Sequence, residues 1–238
     1  MTAPDPPKPT ALVAGASGLV GGQLLEHLAA QPYFGRVIAV TRRPLQSDLP
    51  RLVNRIVRFE MLEESLQGTR AEVAFCALGT TMRSAGSREA FRQVDFDVTL
   101  AFARAARAAG VQRFVLVSAI GADPAANNFY LRIKGETEVA VSALGFPALD
   151  IMQPGLLLGM RTEVRPLELA ASVVMPILNL ALHGPAEKYR AIPASAVAAA
   201  MVGAARGASR GIRRYTHREM RKLDASRGAR RAAAPSSM

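Results

Sequence analysis

The chain has 238 residues, and its length, composition and charge limit what it can be. Half of its residues are hydrophobic, which is enough for one sizeable core, and an α/β sheet of this length commonly forms a single domain. One cysteine and three scattered histidines exclude an intramolecular disulfide and show no metal-ligand spacing, so we expect no metal site. The proline-rich start lacks a signal-peptide core, and no apolar run reaches the roughly 18 residues of a membrane span, so we expect a cytoplasmic protein.

The net charge of +11 is unevenly distributed. Residues 206–238 carry ten Lys or Arg and two carboxylates, so eight of the eleven net charges lie there. We expect one domain over residues 1–207, with a substrate-pocket region near 160–190, and a basic tail over 208–238 whose end is disordered from Ala225. The tail has a single aromatic residue, Tyr215, and no recognition motif, which argues against nucleic-acid binding and leaves peripheral membrane contact open.

Extended and helical patterns alternate along the chain, which predicts a doubly wound α/β fold, with a parallel sheet and helices on both faces. The predicted strands are Thr10–Ala14, Arg36–Thr41, Asn54–Phe59, Ala71–Leu78, Gln112–Ser118 and Ala148–Gln153. The predicted helices are Leu19–Ala30, Arg88–Ala109, Asn127–Leu144 and Ala194–Ala205. Six strands fit the doubly wound order, and Ile212–Thr216 is one further extended pattern.

Three glycines spaced three apart follow the first predicted strand directly. A strand that turns into a helix through glycines brings the first-turn amides close to a ligand, and the helix end adds partial positive charge. We therefore expect this turn to bind the pyrophosphate of a nucleotide, the alternative being a purely structural tight turn. The residues concerned are Gly15, Ala16, Ser17, Gly18, Leu19, Val20 and Gly21.

Two arginines, Arg42 and Arg43, follow the second predicted strand, where a protein that binds the 2′-hydroxyl of NAD usually has an acid. Guanidinium groups suit a 2′-phosphate, so the sequence favours NADP(H) over NAD(H). The alternative is a pair of solvated arginines. The turn after the fourth strand is expected to contact the cofactor ribose or phosphate through Leu78, Gly79 and Thr80.

Tyr130 and Lys134 lie four residues apart on one face of a predicted helix, and Ser118 ends the fifth predicted strand. The phenol of a tyrosine is a poor proton carrier at neutral pH, but a neighbouring ammonium favours its phenolate. Ser118 would hydrogen-bond a substrate carbonyl or hydroxyl while Tyr130 moves the proton and a nicotinamide exchanges the hydride. This pattern predicts carbonyl reduction or its reverse, the alternative being a tyrosine and a lysine on a helix surface.

Taken together, these motifs resemble those of the atypical short-chain dehydrogenases/reductases, most of all the Tat-interacting-protein-like group. The resemblance covers about residues 10–159 and lies in Gly15 to Gly21, Leu78-Gly79-Thr80-Thr81, Val94-Asp95, Val117 to Asp123, Tyr130 with Lys134-Gly135-Glu136, and Gln153-Pro154-Gly155. It implies a Rossmann fold, NADPH binding along the glycine turn and Arg42, and catalytic positions at Ser118, Tyr130 and Lys134. It also implies that backbone near Pro154 and Gly155 lines the nicotinamide.

One position departs from the superfamily. Classical members place an asparagine on the helix before the fifth strand, where this chain has Asp95, while we expect Asp97, Glu136 and Glu138 on helix surfaces.

The sequence as a whole predicts a single-domain, NADPH-dependent oxidoreductase for a small carbonyl or hydroxyl compound. Two alternatives stay open: a catalytically quiet NADPH-binding regulator that binds a protein partner, and a peripheral membrane or nucleic-acid binder acting through the tail. A monomer and a homodimer are both compatible with the sequence.

Overall fold

Parallel strands form the central sheet of the molecule. The computed structural model describes residues 8–158 and 184–232, except for the side chains of residues 184, 185 and 226–232. The strands are β1 (Thr10–Ala14), β2 (Arg36–Thr41), β3 (Leu52–Ile56), β4 (Val73–Cys76), β5 (Arg113–Val117), β6 (Ala148–Met152), β7 (Leu157–Leu158), β8 (Ile192–Pro193) and β9 (Gly211–Tyr215). Seven of them form one parallel sheet in the order β3-β2-β1-β4-β5-β6-β9, while β7 and β8 pair separately. This arrangement confirms the predicted doubly wound, Rossmann-like fold.

Helices cover both faces of the sheet. They are α1 (Leu19–Ala29), α2 (Leu62–Ser65), α3 (Met82–Ala85), α4 (Arg88–Arg92), α5 (Thr99–Ala108), α6 (Phe129–Ser142), α7 (Ala194–Ala205) and α8 (His217–Ala232). A π-helical turn, Gln93–Val98, joins α4 to α5, and short 3-10 helices span Phe59–Met61 and Gly184–Tyr189. None of the helices in the described ranges is long and apolar enough to cross a membrane.

The two sides of the sheet bury separate apolar clusters, because successive strand side chains point to opposite faces. Phe75 packs with Leu24 of α1 and Met201 of α7 on one side. Phe114 packs with Phe102 of α5 on the other side. Because the strands of the sheet are parallel, their carboxyl ends lie at one edge, where ligands bind in folds of this kind.

The predicted strands are confirmed with shifted ends. The third strand covers Leu52–Ile56 rather than Asn54–Phe59, because Phe59 already begins a 3-10 helix. The predicted helix from Arg88 to Ala109 contains the π-helical turn, which local sequence preference does not reveal.

The C-terminal region differs most from expectation. Gly211–Tyr215 pairs with β6 as the outermost strand, so residue 207 does not mark the boundary of the sheet. Helix α8 runs to Ala232, where disorder was expected from Ala225, and it packs on the core through the fully buried Met220 and the partly buried Leu223. Residues 159–183, and with them most of the expected pocket region near 160–190, lie outside the described residues.

Candidate functional site

The glycine turn after β1 is built on close backbone approaches. Gly15 has φ +81°, and a Cβ on it would lie 2.4 Å from the carbonyl group of Ala77 after β4. A Cβ on Gly21 would lie 2.0 Å from the Gly15 carbonyl oxygen, while the amide of Gly18 donates to that oxygen at 2.9 Å. The first and third glycines are therefore required for β1, β4 and α1 to meet.

The same turn leaves the amino end of α1 open to an anion. Gly18 is the N-cap residue, no side chain caps this helix end, and its first turn contains no acid. The first amides of a helix have no acceptor within the helix, and the helix dipole places partial positive charge there. Ser17 and Gly18 are exposed. This exposed, uncapped helix end fits a dinucleotide pyrophosphate.

The turn after β2 presents two exposed arginines at the same edge of the sheet. The side chain of Asn54 on β3 shapes this turn, donating to Thr41 Oγ1 at 2.7 Å and accepting from the amide of Leu45 at 2.8 Å. The Arg42 guanidinium lies 5.3 Å from the centre of the Phe59 ring, and Arg43 is exposed beside it. Neither arginine is paired with a carboxylate within the described residues, so both are available to an anionic group.

A buried ion pair lies below the turn that follows β4. Lys134 Nζ is 2.7 Å from Asp95 Oδ1, and both side chains are almost completely buried. The amide of Thr80 donates to Asp95 Oδ2 at 2.8 Å. A Cβ on Gly79 would lie 3.4 Å from Asp95 Oδ1 and 3.5 Å from Lys134 Nζ. The turn predicted to contact the cofactor is thus fixed directly on this pair.

The environment of Lys134 keeps it charged. Burial lowers the pKa of Lys134, but the attraction of Asp95 and of Tyr130 outweighs this effect, so the pKa lies above its ordinary value. At neutral pH the side chain is therefore an ammonium that Asp95 holds in a fixed position, one helical turn beyond Tyr130.

Asp95 lies in the π-helical turn between α4 and α5. Its carbonyl oxygen accepts a hydrogen bond from Thr137 Oγ1 of α6 at 3.0 Å, so backbone and side chain both connect this turn to the helix of Lys134. Single π-helical turns are frequent at functional sites. Asp95 was noticed in the sequence because an aspartate stands where classical members have an asparagine. Its burial and its pairing with Lys134 could be seen only in the folded structure.

Tyr130 lies in the first turn of α6, which the side chain of Asn128 caps by accepting from the amide of Leu131 at 3.1 Å. Its ring is half-buried, with its centre 5.6 Å from that of Phe91. Across residues 8–158 and 184–232 the structure gives its hydroxyl no hydrogen-bond partner. A phenol in this position can exchange a proton with a ligand.

Ser118 does not join this group by a direct hydrogen bond. Its Oγ donates to Glu138 Oε1 at 2.6 Å, and Glu138 also accepts from Gln153 Nε2 at 2.8 Å and from Arg214 Nε at 2.9 Å. Glu138 is two helical turns beyond Tyr130, about 12 Å along the helix axis. The expectation that Glu138 lies on a helix surface is wrong, because this face of α6 packs against the ends of β5, β6 and β9.

The loop after β6 is held on two sides. The amide of Ile120 donates to the carbonyl oxygen of Pro154 at 2.9 Å. A Cβ on Gly155 would lie 2.9 Å from the carbonyl oxygens of Tyr189 and Arg190. Pro154 and Gly155 therefore lie at the carboxyl edge of the sheet, in a backbone path too narrow for a side chain at residue 155.

The described ranges contain no group of three His, Cys, Asp or Glu side chains that could hold a metal ion. Cys76 is fully buried, and burial raises its pKa to about 11, so it is a packed thiol at neutral pH.

The fold and the glycine turn together define a dinucleotide-binding α/β protein. Residues 15–145 match the sequence model of a family described as NAD(P)H-binding, and the chain belongs to this family.

Curated relatives and solved structures agree with this assignment. The protein FMP52-1, mitochondrial, of Scheffersomyces stipitis is 40% identical over 158 residues, which is 64% of this chain and 69% of that protein. The protein HTATIP2 of Rattus norvegicus is 41% identical over 160 residues, 65% of each chain. The structure of MoeE5 with UDP-glucose and NAD superposes with a TM-score of 0.65 at 19% identity, covering 87% of this chain and 76% of that one, a likeness that shows the fold.

The relatives also correct one prediction. The expected cytoplasmic location is wrong, because FMP52 relatives from several yeasts and from a filamentous fungus are named mitochondrial.

Proposed function

We propose that the protein is an NADPH-dependent oxidoreductase that transfers a hydride between the nicotinamide and a small carbonyl or hydroxyl compound. The observation that carries this proposal is the Tyr130 hydroxyl, which lacks a partner in the described chain and lies next to the buried Lys134–Asp95 pair. A proton donor beside a permanent cation is what carbonyl reduction needs at the oxygen that gains charge.

The residues at the carboxyl edge fit the cofactor. The turn from Gly15 to Gly21 would hold the pyrophosphate, and Arg42 and Arg43 would hold a 2′-phosphate. The residues that would contact the ribose and nicotinamide are Leu78, Gly79, Thr80, Lys134, Pro154 and Gly155. When bound, the nicotinamide supplies or accepts the hydride.

The protein side chains would handle the proton. In the reducing direction Tyr130 gives its hydroxyl proton to the substrate oxygen, and the Lys134 ammonium stabilises the phenolate that remains. In the oxidising direction the same phenolate takes the proton from the substrate hydroxyl. Because Ser118 donates its own proton to Glu138, its Oγ offers lone pairs and would orient a substrate by accepting from a hydroxyl group.

Replacing Tyr130 with phenylalanine tests the chemical role. Tyr130→Phe removes the transferable proton and keeps the ring against Phe91, so we expect a loss of about 10²–10⁴ in kcat with unchanged NADPH affinity. The measurement is NADPH oxidation with a panel of small aldehydes and ketones, alongside calorimetric titration of NADPH. The exposed Tyr33 supplies the matched control, Tyr33→Phe, which should retain full activity.

Two outcomes would contradict the enzyme proposal. Equal turnover in wild type and Tyr130→Phe would remove Tyr130 from the chemistry. Tight NADPH binding without turnover of any compound in the panel would favour the alternative, an NADPH-binding regulator that presents a cofactor-dependent surface to a protein partner.

The cofactor preference has its own test. In Arg42→Ala/Arg43→Ala both cations next to the expected 2′-phosphate are lost, so the affinity for NADPH should fall at least tenfold while that for NADH changes little. Calorimetric titrations of both nucleotides at two salt concentrations measure this. Arg210→Ala/Arg218→Ala, with the same change in net charge at exposed sites near β9, is the control. An unchanged ratio of the two affinities would show that these arginines are only solvated.

A further inference from the structure

A basic cavity of about 330 Å³ lies between β2, β3 and the segment that leads into β4. Arg36, Arg55 and Arg70 line it, together with Thr69 and the fully buried Ile38. The three arginines come from three different parts of the chain, so the fold brings them together.

The side chains that line this cavity carry positive charge only, and two acids, Glu63 and Glu64, line an adjoining hollow. No acidic residue lines the cavity itself, and none of the three arginines forms an ion pair with a carboxylate in the described ranges. Three guanidinium groups around one hollow repel each other, and a concave surface lined by one sign of charge concentrates ions of the opposite sign.

One of the three arginines is held in place. Arg55 is half-buried, and its Nη1 donates to Thr69 Oγ1 at 2.6 Å and to the carbonyl oxygen of Ser65 at 3.3 Å. The structure gives Nε and Nη2 of Arg55 no acceptor among the described residues, so donors of a positioned guanidinium stay available. Arg36 and Arg70 are exposed and make no hydrogen bond within the same ranges.

The cavity is separate from the dinucleotide site. Arg36 is the first residue of β2 and Arg70 precedes β4, whereas Arg42 and the glycine turn lie at the carboxyl ends of β2 and β1. The length of β2, about 16 Å, separates Arg36 from that edge. Arg55 is paired with Val40 near the carboxyl end of β2 and reaches the cavity from β3, but none of the residues expected to bind the dinucleotide lines the cavity.

We infer that this cavity binds a phosphate group as a second anion site, with Arg36, Arg55 and Arg70 as its ligands. Guanidinium groups bind phosphate oxygens through paired N–H donors. A phosphate dianion also matches the charge of three arginines better than a carboxylate ligand, which has one negative charge. The group can belong to a soluble phosphorylated molecule or to a lipid headgroup, since both present the same oxygens.

Inorganic phosphate, titrated at constant ionic strength, is the first probe. The amide NMR signals of Gly68 and Thr69 should shift with phosphate, and Arg36→Gln/Arg70→Gln should weaken this binding at least tenfold. Neither replaced side chain makes a hydrogen bond in the described structure, so the variant should keep its fold and its NADPH affinity. Arg210→Gln/Arg218→Gln, with the same change in net charge, should bind phosphate as wild type does.

The same experiment can overturn the inference. Equal weakening in both double variants would show unspecific attraction to a basic protein. Phosphate-dependent shifts confined to Gly15–Gly21 would place the anion in the dinucleotide site instead.

Vesicles of phosphatidylcholine with phosphatidic acid distinguish the two sources of the phosphate. Vesicle binding that Arg36→Gln/Arg70→Gln abolishes assigns a lipid headgroup, and binding of free phosphate without vesicle binding assigns a soluble ligand. If wild type binds neither phosphate nor the vesicles, the proposed site is rejected. That result does not bear on the proposed oxidoreductase activity, because the activity is measured separately.

Discussion

At the scale of single residues, the pair of Asp95 and Lys134 is the feature on which the proposed chemistry depends. Removing two charges from water is costly, and a buried ion pair often contributes little net stability. What the pair does provide is a fixed position for an ammonium group one helical turn beyond Tyr130, since the Thr80 amide holds the carboxylate and the carboxylate holds the lysine.

Asp95→Asn keeps the size of the side chain and an acceptor for the Thr80 amide, but it leaves the buried Lys134 ammonium without its counterion. We expect the free energy of unfolding at pH 7 to fall by about 3–5 kcal/mol, the usual cost of breaking a buried pair. Urea denaturation measures this loss. Asp97→Asn is the control, because Asp97 is an exposed carboxylate two residues away, and it should change stability by less than about 0.5 kcal/mol.

The pair also predicts a dependence on pH. Because the pKa of Lys134 in the folded protein lies above its ordinary value of 10.5, the unfolded chain releases this proton at lower pH than the folded protein does. The stability that the pair contributes is therefore fully present below pH 10.5 and is lost as pH rises above that value. Wild type should lose stability more steeply than Lys134→Met as the pH rises above 10.5. Parallel curves would contradict the raised pKa.

The sequence predicts the residues of the proposed chemistry, but it does not predict the partners that the fold gives them. Tyr130 and Lys134 were recognisable because helical spacing puts them on one face of a helix. The three glycines were recognisable because a close approach of backbones in a turn requires residues without a Cβ. Ser118 was correctly placed at the end of a strand. Its bond to Glu138 was not predictable, since it depends on which face of α6 packs against β5, and spacing along one helix does not fix that choice.

At the scale of secondary-structure elements, side-chain networks attach the outermost strand to the rest of the sheet. Arg214 of β9 bonds to Glu138 of α6. Tyr215 donates to Asp150 Oδ1 at 2.9 Å, and Arg113 Nη1 donates to Asp150 Oδ2 at 2.5 Å. These polar contacts add to the backbone pairing with β6 in an edge strand whose side chains are mostly exposed.

Arg214→Gln tests the first network. The change leaves the buried Glu138 carboxylate without its cation, and since half of the Arg214 side chain is exposed, we expect a moderate loss of about 1–2 kcal/mol in the free energy of unfolding. The double variant Arg214→Gln/Glu138→Gln should recover part of that loss, because it removes the unpaired charge. A double-mutant cycle by urea denaturation measures the coupling, with Arg218→Gln as the control. Additive losses would mean that the two side chains do not interact in solution.

These elements differ in how well the sequence predicts them. Central strands such as β1 and β5 are buried on both faces and form continuous apolar runs, which are easy to recognise. β9 carries two arginines in five residues, and the partners of Arg214 and Tyr215, Glu138 and Asp150, lie more than 60 residues earlier. Local pattern cannot show contacts over such a separation.

At the scale of the whole molecule, helix α8 connects the basic C-terminal region to the core. Its arginines and alanines are typical of a solvated segment, yet Met220 is completely buried between α8 and the core. Leu223 lies three residues further on, so the two side chains share one helix face, and a Cβ on Gly203 of α7 would lie 3.4 Å from Leu223. Met220 and Leu223 thus pack this basic helix against α7 and the core.

Met220→Ala tests the docking of α8. Truncation of a fully buried methionine should lower the free energy of unfolding by about 2–5 kcal/mol and leave NADPH affinity unchanged under folding conditions. Met82→Ala provides the control, because that methionine is 38% exposed, and thermal unfolding followed by circular dichroism compares the two. Similar melting temperatures would mean that α8 does not contribute to the folded core.

The position of β9 has a consequence for how the molecule is made. Protein synthesis releases the chain from its amino end, so the glycine turn, Tyr130 and Lys134 leave the ribosome well before Arg214 and Tyr215. Until then Glu138 and Asp150 lack the last of their partners, and a chain that stops before residue 211 retains two acids that belong in its interior. We therefore expect a chain that lacks β9 to be less stable than the full chain, and so more open to unfolding and degradation.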